Sequence, residues 1–379
     1  MRLFENLNVD FLSKRRLFYG LSAAIFLIGL ISIVFRGLIF GIDFKGGSEI
    51  VLQFEQPVDI AEVRGYVENI GLGNVEVKTF GGETGILIRT ELQAIPEEIY
   101  PRVLESINNI IETRFPGLPV QIIDSTRTSV TYQLPNPDTT NILVNVLNEA
   151  AVETEEVSAE PGNTQILVSV GIADWIKENL RERMPDNPFT VLKEESVGPK
   201  IGAELKENAV VAVLFSLLVI LVYLGFRFKF IFAAAAVIAL FHDVLITLGI
   251  FALLYNVIPG LNFEIDLTVV AAFLTLVGYS INDTVVVFDR VRENMKIHKT
   301  MPVKDLINDS INKTMSRTII TSGTTLLTIL VLLFFGGEVL RTFAFTLGFG
   351  IIIGTYSSIF VASALVLEYA NRGKKKLQF

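Results

Sequence analysis

Six long apolar runs constrain the fold of this chain more than any other feature of its sequence. They cover residues 17–35, 209–226, 230–254, 267–288, 318–335 and 343–366. At a rise of 1.5 Å per residue, each run is about long enough for a helix to cross a hydrocarbon core of roughly 30 Å. Because 51% of the chain is apolar, we predict a polytopic α-helical membrane protein with six transmembrane helices.

Basic residues indicate how these helices are oriented. They cluster in the N-terminus (1–16), after the second helix, in residues 289–317, which hold seven of them, and in the tail (367–379). Cytoplasmic segments of membrane proteins carry an excess of Lys and Arg. We therefore expect both termini and the loop 289–317 in the cytoplasm. No small-residue cleavage site follows the first run, so we expect a retained helix and not a signal peptide.

The segment between the first two helices has a different character. Residues 45–207 hold 27 Asp and Glu against 13 Lys and Arg, whereas the rest of the chain holds 13 acidic and 19 basic residues. This composition predicts a large extracytoplasmic domain and argues against binding of nucleic acid or of an anionic lipid surface. The absence of cysteine excludes a disulfide framework and thiolate metal sites.

This acidic segment contains an internal repeat. Residues 48–90 align without gaps on residues 128–170, with six identical positions. Each copy and its continuation read as strand, helix, strand, strand, helix, strand, the βαββαβ order of ferredoxin-like α+β domains. We predict two contiguous modules, 41–127 and 128–205, with Pro57 and Pro137 before equivalent helices. One irregular α+β domain is the alternative.

Charged side chains within two of the apolar runs are candidates for function. Asp283 lies in the fourth run, and His242 and Asp243 lie at the middle of the third. A carboxylate at the centre of a lipid-facing helix costs roughly 2.5–3.5 kcal/mol, so such groups face a bundle interior or water. We interpret Asp283 as a group that takes up and releases protons; an interfacial aspartate is the alternative. His242 either titrates or satisfies an interhelical hydrogen bond.

Neighbouring helices supply groups that would surround Asp283. Tyr279 and Asn282 are predicted to share its helical face. Arg317, at the start of the fifth helix, would reach toward Asp283 or extend outward to phosphates. A stripe of hydroxyl residues follows on that helix, formed by Thr318, Thr321, Ser322, Thr325 and Thr328. The sixth helix carries a small-residue edge suited to close packing, formed by Gly350, Gly354, Ser358 and Ala362.

Five motifs, in this order, resemble the SecF family of bacterial protein-export membrane subunits. They are GIDFKGG (41–47), VGPKIGAEL (197–205), FHDVLITLGIFAL (241–253), GYSINDTVVVFDRVREN (278–294) and GTYSSIFVA (354–362). The N-terminal NVDFLSKRR (8–16) is similar to the family's opening. Within the motifs we select as supporting residues Asp43, Gly46, Gly47, Gly198, Pro199, Tyr279, Asn282 and Gly354.

This resemblance implies a function. SecF proteins pair with SecD, and both resemble the resistance-nodulation-division transporters. They assist the SecYEG channel and the SecA motor, and they use protons to complete release of exported, unfolded polypeptides outside the bacterial plasma (inner) membrane. The family's aspartate in the IND motif and an arginine at the start of span five are held to form the proton path. These correspond to Asp283 and Arg317, and Asp243 with His242 is a second candidate.

Two further function classes use some of the same features. A stand-alone proton-driven exporter of the resistance-nodulation-division type would share the charged residues, but such pumps generally have twelve spans. A non-transporting scaffold leaves His242, Asp243 and Asp283 without a role. The second outer module departs from the single small domain that the resemblance implies. No phosphate-binding loop, activated nucleophile or metal cluster is recognisable, so we expect neither an enzyme nor a cofactor.

Overall fold

The computed structural model describes residues 7–373 except 93, 127, 136, 150–153, 161–162, 256, 259–260 and 262. The chain divides into two compact units. Met1–Gly41 with Leu205–Phe379 form the helical unit, and Ile42–Glu204 form the α/β unit. The predicted acidic domain corresponds to the α/β unit.

In chain order the elements are α1 (Arg15–Arg36), α2 (Ile42–Lys45), β1 (Gly47–Phe54), α3 (Ile60–Glu68), β2 (Val75–Thr79), β3 (Gly85–Thr90), α4 (Tyr100–Arg114), β4 (Gln121–Ser125), β5 (Ser129–Leu134), α5 (Pro137–Glu149), β6 (Thr154–Glu160), β7 (Asn163–Ser169), α6 (Ile172–Arg183), β8 (Phe189–Val197), α7 (Pro199–Arg227), α8 (Phe230–Leu254), α9 (Leu267–Ile297), α10 (Val303–Phe335), α11 (Gly337–Ser357) and α12 (Ser363–Gly373). A π-helical turn (Ser358–Ala362) joins α11 to α12.

Six helices of the described chain are long and apolar enough to cross a membrane, as predicted. We call them span one (α1), span two (α7), span three (α8), span four (α9), span five (α10) and span six (α11 to α12). Span three has the predicted bounds, 230–254. Span six is helical to Gly373, and the basic residues that follow in the tail lie outside the described residues.

The predicted loop 289–317 is largely helical. Span four continues to Ile297 and span five begins at Val303, so only a short turn separates them. The two extensions are polar, which hid them from a hydropathy reading, but they pack on each other. The buried Asn294 Nδ2 donates to Asp309 Oδ2 (2.9 Å) and to Ser310 Oγ (2.8 Å), which ties one extension to the other.

Small residues allow the spans to approach closely. A Cβ atom on Gly29 of span one would lie 2.8 Å from the Gly249 Cα of span three, so the two backbones touch there. The predicted small-residue edge of span six packs on span four. A Cβ atom on Gly350 would lie 2.5 Å from the Leu276 side chain.

The α/β unit confirms the predicted order βαββαβ for both copies, but the modules are not contiguous. The described strands form two antiparallel sheets, with the orders β2-β3-β1-β8 and β4-β5-β7-β6. The last strand of each copy therefore pairs in the sheet of the other copy. The preceding helix moves with it, because α6 packs on α3 and α4 packs on α5. The boundary predicted between residues 127 and 128 does not separate two modules, because each sheet contains strands of both copies.

This exchange buries α6 between the two halves of the unit, together with its charged residues. Lys177 Nζ lies 2.6 Å from Asp174 Oδ1 and 3.0 Å from Glu194 Oε2. Glu178 accepts a hydrogen bond from the hydroxyl of Ser106 on α4, and among the described residues it has no ion-pair partner. Burial raises the pKa of Glu178 above its usual value, although the Ser106 hydrogen bond opposes the shift.

We expect Glu178→Gln to stabilise the α/β unit at neutral pH. Because the pKa of Glu178 is raised in the folded state, folding favours its protonated form. Its ionisation therefore lowers the free energy of unfolding as the pH rises above the ordinary glutamate pKa. Unfolding of the full-length protein can be followed by the fluorescence of Trp175, its one tryptophan. The midpoint should rise by about 2–4 °C for each kcal/mol gained at pH 7–8.

The gain should vanish as the pH falls below about 4.3, the ordinary glutamate pKa, because both states are then protonated. Glu112→Gln, at an exposed position on α4, is the control. An equal gain at low and neutral pH would show that ionisation of Glu178 does not oppose folding.

Candidate functional site

Span four carries Asp283 on the side of the helix that faces the other spans. The helix begins at Leu267, where the Asp266 side chain accepts a hydrogen bond from Val269 N (2.7 Å) and caps the first turn. Its buried side chains recur every three or four residues, and Ser280 and Asp283 are among them. Asp283 is only 2% exposed.

Hydroxyl groups from two other spans hold Asp283. Its Oδ2 accepts hydrogen bonds from Ser322 Oγ of span five (2.9 Å) and from Thr355 Oγ1 of span six (3.1 Å). Thr355 Oγ1 also lies 3.0 Å from Ser322 Oγ. Three spans therefore meet at one carboxylate.

Asp243 of span three forms a second cluster and is 1% exposed. Its Oδ2 accepts hydrogen bonds from Ser280 Oγ of span four (2.7 Å) and from Ser357 Oγ of span six (2.8 Å). Its Oδ1 lies 3.0 Å from His242 Nδ1, and the imidazole Nε2 is buried with no hydrogen-bond partner among the described residues. His242 thus orients and partly satisfies this carboxylate.

One short segment of span six contacts both carboxylates. Thr355 reaches Asp283 and Ser357 reaches Asp243, only two residues later. The segment lies close to span four because Gly354 has no side chain, and a Cβ atom there would lie 2.7 Å from Ser280 Oγ. The π-helical turn follows directly. Such turns are often found at functional sites.

The structure does not bring Arg317 and Asp283 into contact. The Arg317 side chain is exposed. The ion pairs between described residues do not join it to Asp283, whose Oδ2 is occupied by the hydroxyls of Ser322 and Thr355. Arg317 was predicted to open the fifth helix, and that is wrong, because span five already begins at Val303.

The structure separates Tyr279 from Asn282, which were expected on one face with Asp283. Tyr279 Oη donates to Thr321 O (2.8 Å) and bonds Thr325 Oγ1 (2.8 Å), so it packs on the hydroxyl stripe of span five. The Asn282 side chain is exposed on span four. Tyr279 therefore supports the packing of spans four and five, and Asn282 faces away from the carboxylate.

The other supporting residues lie in the α/β unit and not beside the carboxylates. Gly46 and Gly47 have φ of 80° and 119°, values that favour glycine. A Cβ atom on Gly46 would lie 2.9 Å from the Pro199 Cα, so this turn packs against the Gly198–Pro199 start of α7. Asp43 lies on α2, just before this turn. The two motifs meet because β1 and β8 are neighbouring strands, with Gly47 opposite Val197.

Sequence reasoning missed the roles of Ser280, Thr355 and Ser357. Each lies within a motif already quoted, and each is a small hydroxyl residue in an apolar run that also carries glycine. That combination signals a close helix contact with a polar group at its centre. Among the described residues, no group of three His, Asp or Glu side chains is arranged to hold a metal ion.

Comparison with known proteins identifies the family. The model for the protein export membrane protein SecD/SecF C-terminal domain matches residues 176–372, and the model for the SecD/SecF GG motif matches residues 31–58. Protein translocase subunit SecF of Rhodothermus marinus is 40% identical over 372 residues, which are 98% of this chain and 96% of the relative. The SecF of Koribacter versatilis is 36% identical over 389 residues, covering 97% and 93% of the two chains.

The crystal structure of SecDF, a translocon-associated membrane protein from Thermus thermophilus, has a similar fold, with a TM-score of 0.64 and 31% identity. The match covers 98% of this chain but 40% of the longer SecDF chain. The second module was expected to set this chain apart from its family. That expectation is wrong for these SecF relatives, since they align over nearly their whole length.

The family model over residues 176–372 covers more than half of the chain. The relative from Rhodothermus marinus matches at 40% identity across both the helical and the α/β units. The chain therefore belongs to the SecD/SecF family of protein export membrane proteins.

Proposed function

We propose that this chain is a SecF-type accessory subunit of the Sec protein translocase, which uses the proton gradient together with SecD to promote late steps of protein export. Membership of the SecD/SecF family supports the role in export. One observation carries the proton coupling. Asp243 and Asp283 are buried between the spans, and hydroxyl groups donate hydrogen bonds to the Oδ2 atom of each. A lysine or arginine in the same position would keep the carboxylate charged.

Hydroxyl partners suit a carboxyl that changes charge. Ser and Thr side chains both donate and accept hydrogen bonds, whereas the arginine guanidinium only donates. When Asp283 is ionised, Ser322 and Thr355 donate to it. When it is protonated, its own O–H donates to one of them after that hydroxyl rotates. Each state is satisfied, so the proton can arrive and leave without an unpaired buried charge.

The energy available is sufficient to bias a conformational change. An elementary charge that crosses the membrane releases about 2.3 kcal/mol per 100 mV. That free energy shifts a two-state equilibrium by well over tenfold if it acts on one state only. Spans three to six meet at the two carboxylates, so a change in their hydrogen bonds alters how these helices pack. The chain connects this bundle to the α/β unit through spans one and two.

SecD is the partner that we propose for the exposed side chains of Asn282 and Arg317. Both side chains are exposed on spans four and five, and an amide and a guanidinium are costly against lipid at membrane depth. A second membrane subunit with polar or acidic groups would satisfy them. The relationship to SecDF, a longer chain, supports SecD as that subunit. We further propose that the complex acts with the SecYEG channel and the SecA motor on unfolded, exported polypeptides.

The proposed location is the bacterial plasma membrane, with both termini cytoplasmic and the α/β unit outside. A reporter fused after Phe335 should lie outside and one fused at Lys299 should lie in the cytoplasm, because residues 289–317 hold seven basic residues. Alkaline phosphatase and green fluorescent protein fusions report the two sides. Swapped signals would overturn the orientation and place the α/β unit in the cytoplasm.

Asp283→Asn should abolish stimulation of secretion by the proton gradient. The amide keeps the shape of the carboxyl and can still bond Ser322 and Thr355, but it cannot exchange a proton. The variant should insert, reach the same amount in the membrane and copurify with SecD. The measurement is secretion of a reporter protein into inverted membrane vesicles, with and without an uncoupler.

Asp289→Asn is the matched control. It makes the same chemical change on the same helix, at an exposed residue paired with Arg227 (3.1 Å), and should leave secretion within about a factor of two. If Asp283→Asn retains full uncoupler-sensitive secretion, Asp283 has a structural role. Asp243→Asn is then measured in the same assay. Full activity of both variants would remove the proposed proton coupling.

A further inference from the structure

The segment before span one is clamped to span five by two asparagines. Val9 N donates to Asn312 Oδ1 (3.0 Å), and Val9 O accepts from Asn308 Nδ2 (2.8 Å) and Asn312 Nδ2 (2.9 Å). Phe11 N donates to Asn308 Oδ1 (2.9 Å), and Lys304 Nζ lies 2.7 Å from Asp10 Oδ2. We call residues 9–12 the N-terminal strap.

The strap is a firm attachment and not a loose tail. Asn308 and Asn312 lie one helical turn apart, so both amides face the same stretch of strap backbone. Leu12, at the end of the strap, is completely buried. Both clamping side chains are neutral, so this contact does not change when protons move through the membrane.

Span five, which bonds the strap, also donates a hydrogen bond to Asp283 through Ser322. Span five runs without interruption from Val303 to Phe335, and Ser322 lies ten residues beyond Asn312. Ten residues of α-helix span about 15 Å. A shift of Ser322 that follows protonation of Asp283 therefore moves Asn312 with it, and the strap is attached there.

Span one follows the strap directly and contacts spans three and six. Arg15 Nε lies 2.8 Å from Glu368 Oε1 of span six. Tyr356 Oη, also on span six, donates to Phe18 O (2.9 Å). At the other end of span one, Gly41 N donates to Ile265 O (2.9 Å), just before span four begins. Span one thus contacts span six and packs on span three where Gly29 meets Gly249. The segments on either side of span one bond span five and the residue Ile265, just before span four.

Span two is the other connection to the α/β unit and is less well attached. Span one packs backbone to backbone on span three at Gly29 and Gly249, whereas the described part of span two makes no comparably extensive contact with another span. Displacements of the carboxylate-bearing helices are therefore carried better by span one than by span two.

We propose that Asn308 and Asn312 are positioning residues that make the N-terminal strap and span one follow span five, and so pass the proton-driven movement to the α/β unit. This inference rests on the proposed function above. The strap sequence VDFL (9–12) thereby acquires a role as the link between span five and span one.

The first test removes the clamp. Asn308→Ala with Asn312→Ala should lose most of the uncoupler-sensitive secretion in inverted vesicles, at an unchanged amount in the membrane and with unchanged copurification of SecD. Asn371→Ala, an exposed asparagine on α12, should behave as the unchanged chain. Full gradient-dependent secretion by the double variant would overturn the proposal.

The second test restores the clamp in the same sample. The chain has no cysteine, so Val9→Cys with Asn312→Cys introduces its two thiols at the strap. A short, reducible bis-methanethiosulfonate reagent should join them, restore secretion that the free-thiol form lacks, and lose that effect on addition of dithiothreitol. A joined form as inactive as the free-thiol form would show that the clamp does not carry coupling. The single-cysteine variants control for modification alone.

Asp283→Asn, tested in the same vesicles, distinguishes failure of the strap link from failure of the proposed proton coupling. Loss with Asp283→Asn but none with the asparagine variants removes the strap link and leaves the proton coupling intact. No loss with either set removes the strap link, and the proton coupling itself is then tested with Asp243→Asn.

Discussion

The burial of two carboxylates among apolar helices is the constraint on which the helical unit depends. A charge taken out of water is tolerated only when hydrogen bonds replace its hydration. Asp243 and Asp283 obtain those bonds from different helices, which must therefore come within hydroxyl reach of one another. Gly354 provides the room for this on span six, and the π-helical turn after it alters the direction of the side chains that follow. The same few residues allow the helices to pack closely and supply the hydrogen bonds to the two carboxylates.

The architecture of the α/β unit depends on a different feature, the exchange of strands between its two sheets. Because each copy of the repeat gives its final helix and strand to the other sheet, the two halves share one core and cannot separate without unfolding. The chain enters this unit through β1 and leaves through β8, and these strands are neighbours. Both connections to the spans therefore converge at the turn of Gly46 and Gly47.

Hydropathy and the order of the elements predicted much of this fold. The features that they missed depend on contacts between residues far apart in the sequence. The bounds of span three and the repeated βαββαβ order follow from patterns that local sequence determines. The exchanged strands could not be predicted, because the order along the chain is the same whichever sheet each strand joins. Arg317 was expected either to reach Asp283 or to extend outward to phosphates, and Ser322 and Thr355 donate to the carboxylate instead. The hydroxyl stripe that includes Ser322 was recognised from the sequence, but its bond to Asp283 depends on how the spans pack.

The central claim is that the carboxyl groups buried in the helical unit change protonation while the fold persists. Infrared difference spectroscopy of the protein in lipid with SecD, recorded between acidic and alkaline pH, measures this directly through the C=O stretch of protonated carboxyl groups. The account predicts a pH-dependent band that Asp283→Asn or Asp243→Asn removes in part and that Asp289→Asn leaves unchanged. A band unaffected by both buried substitutions would contradict it.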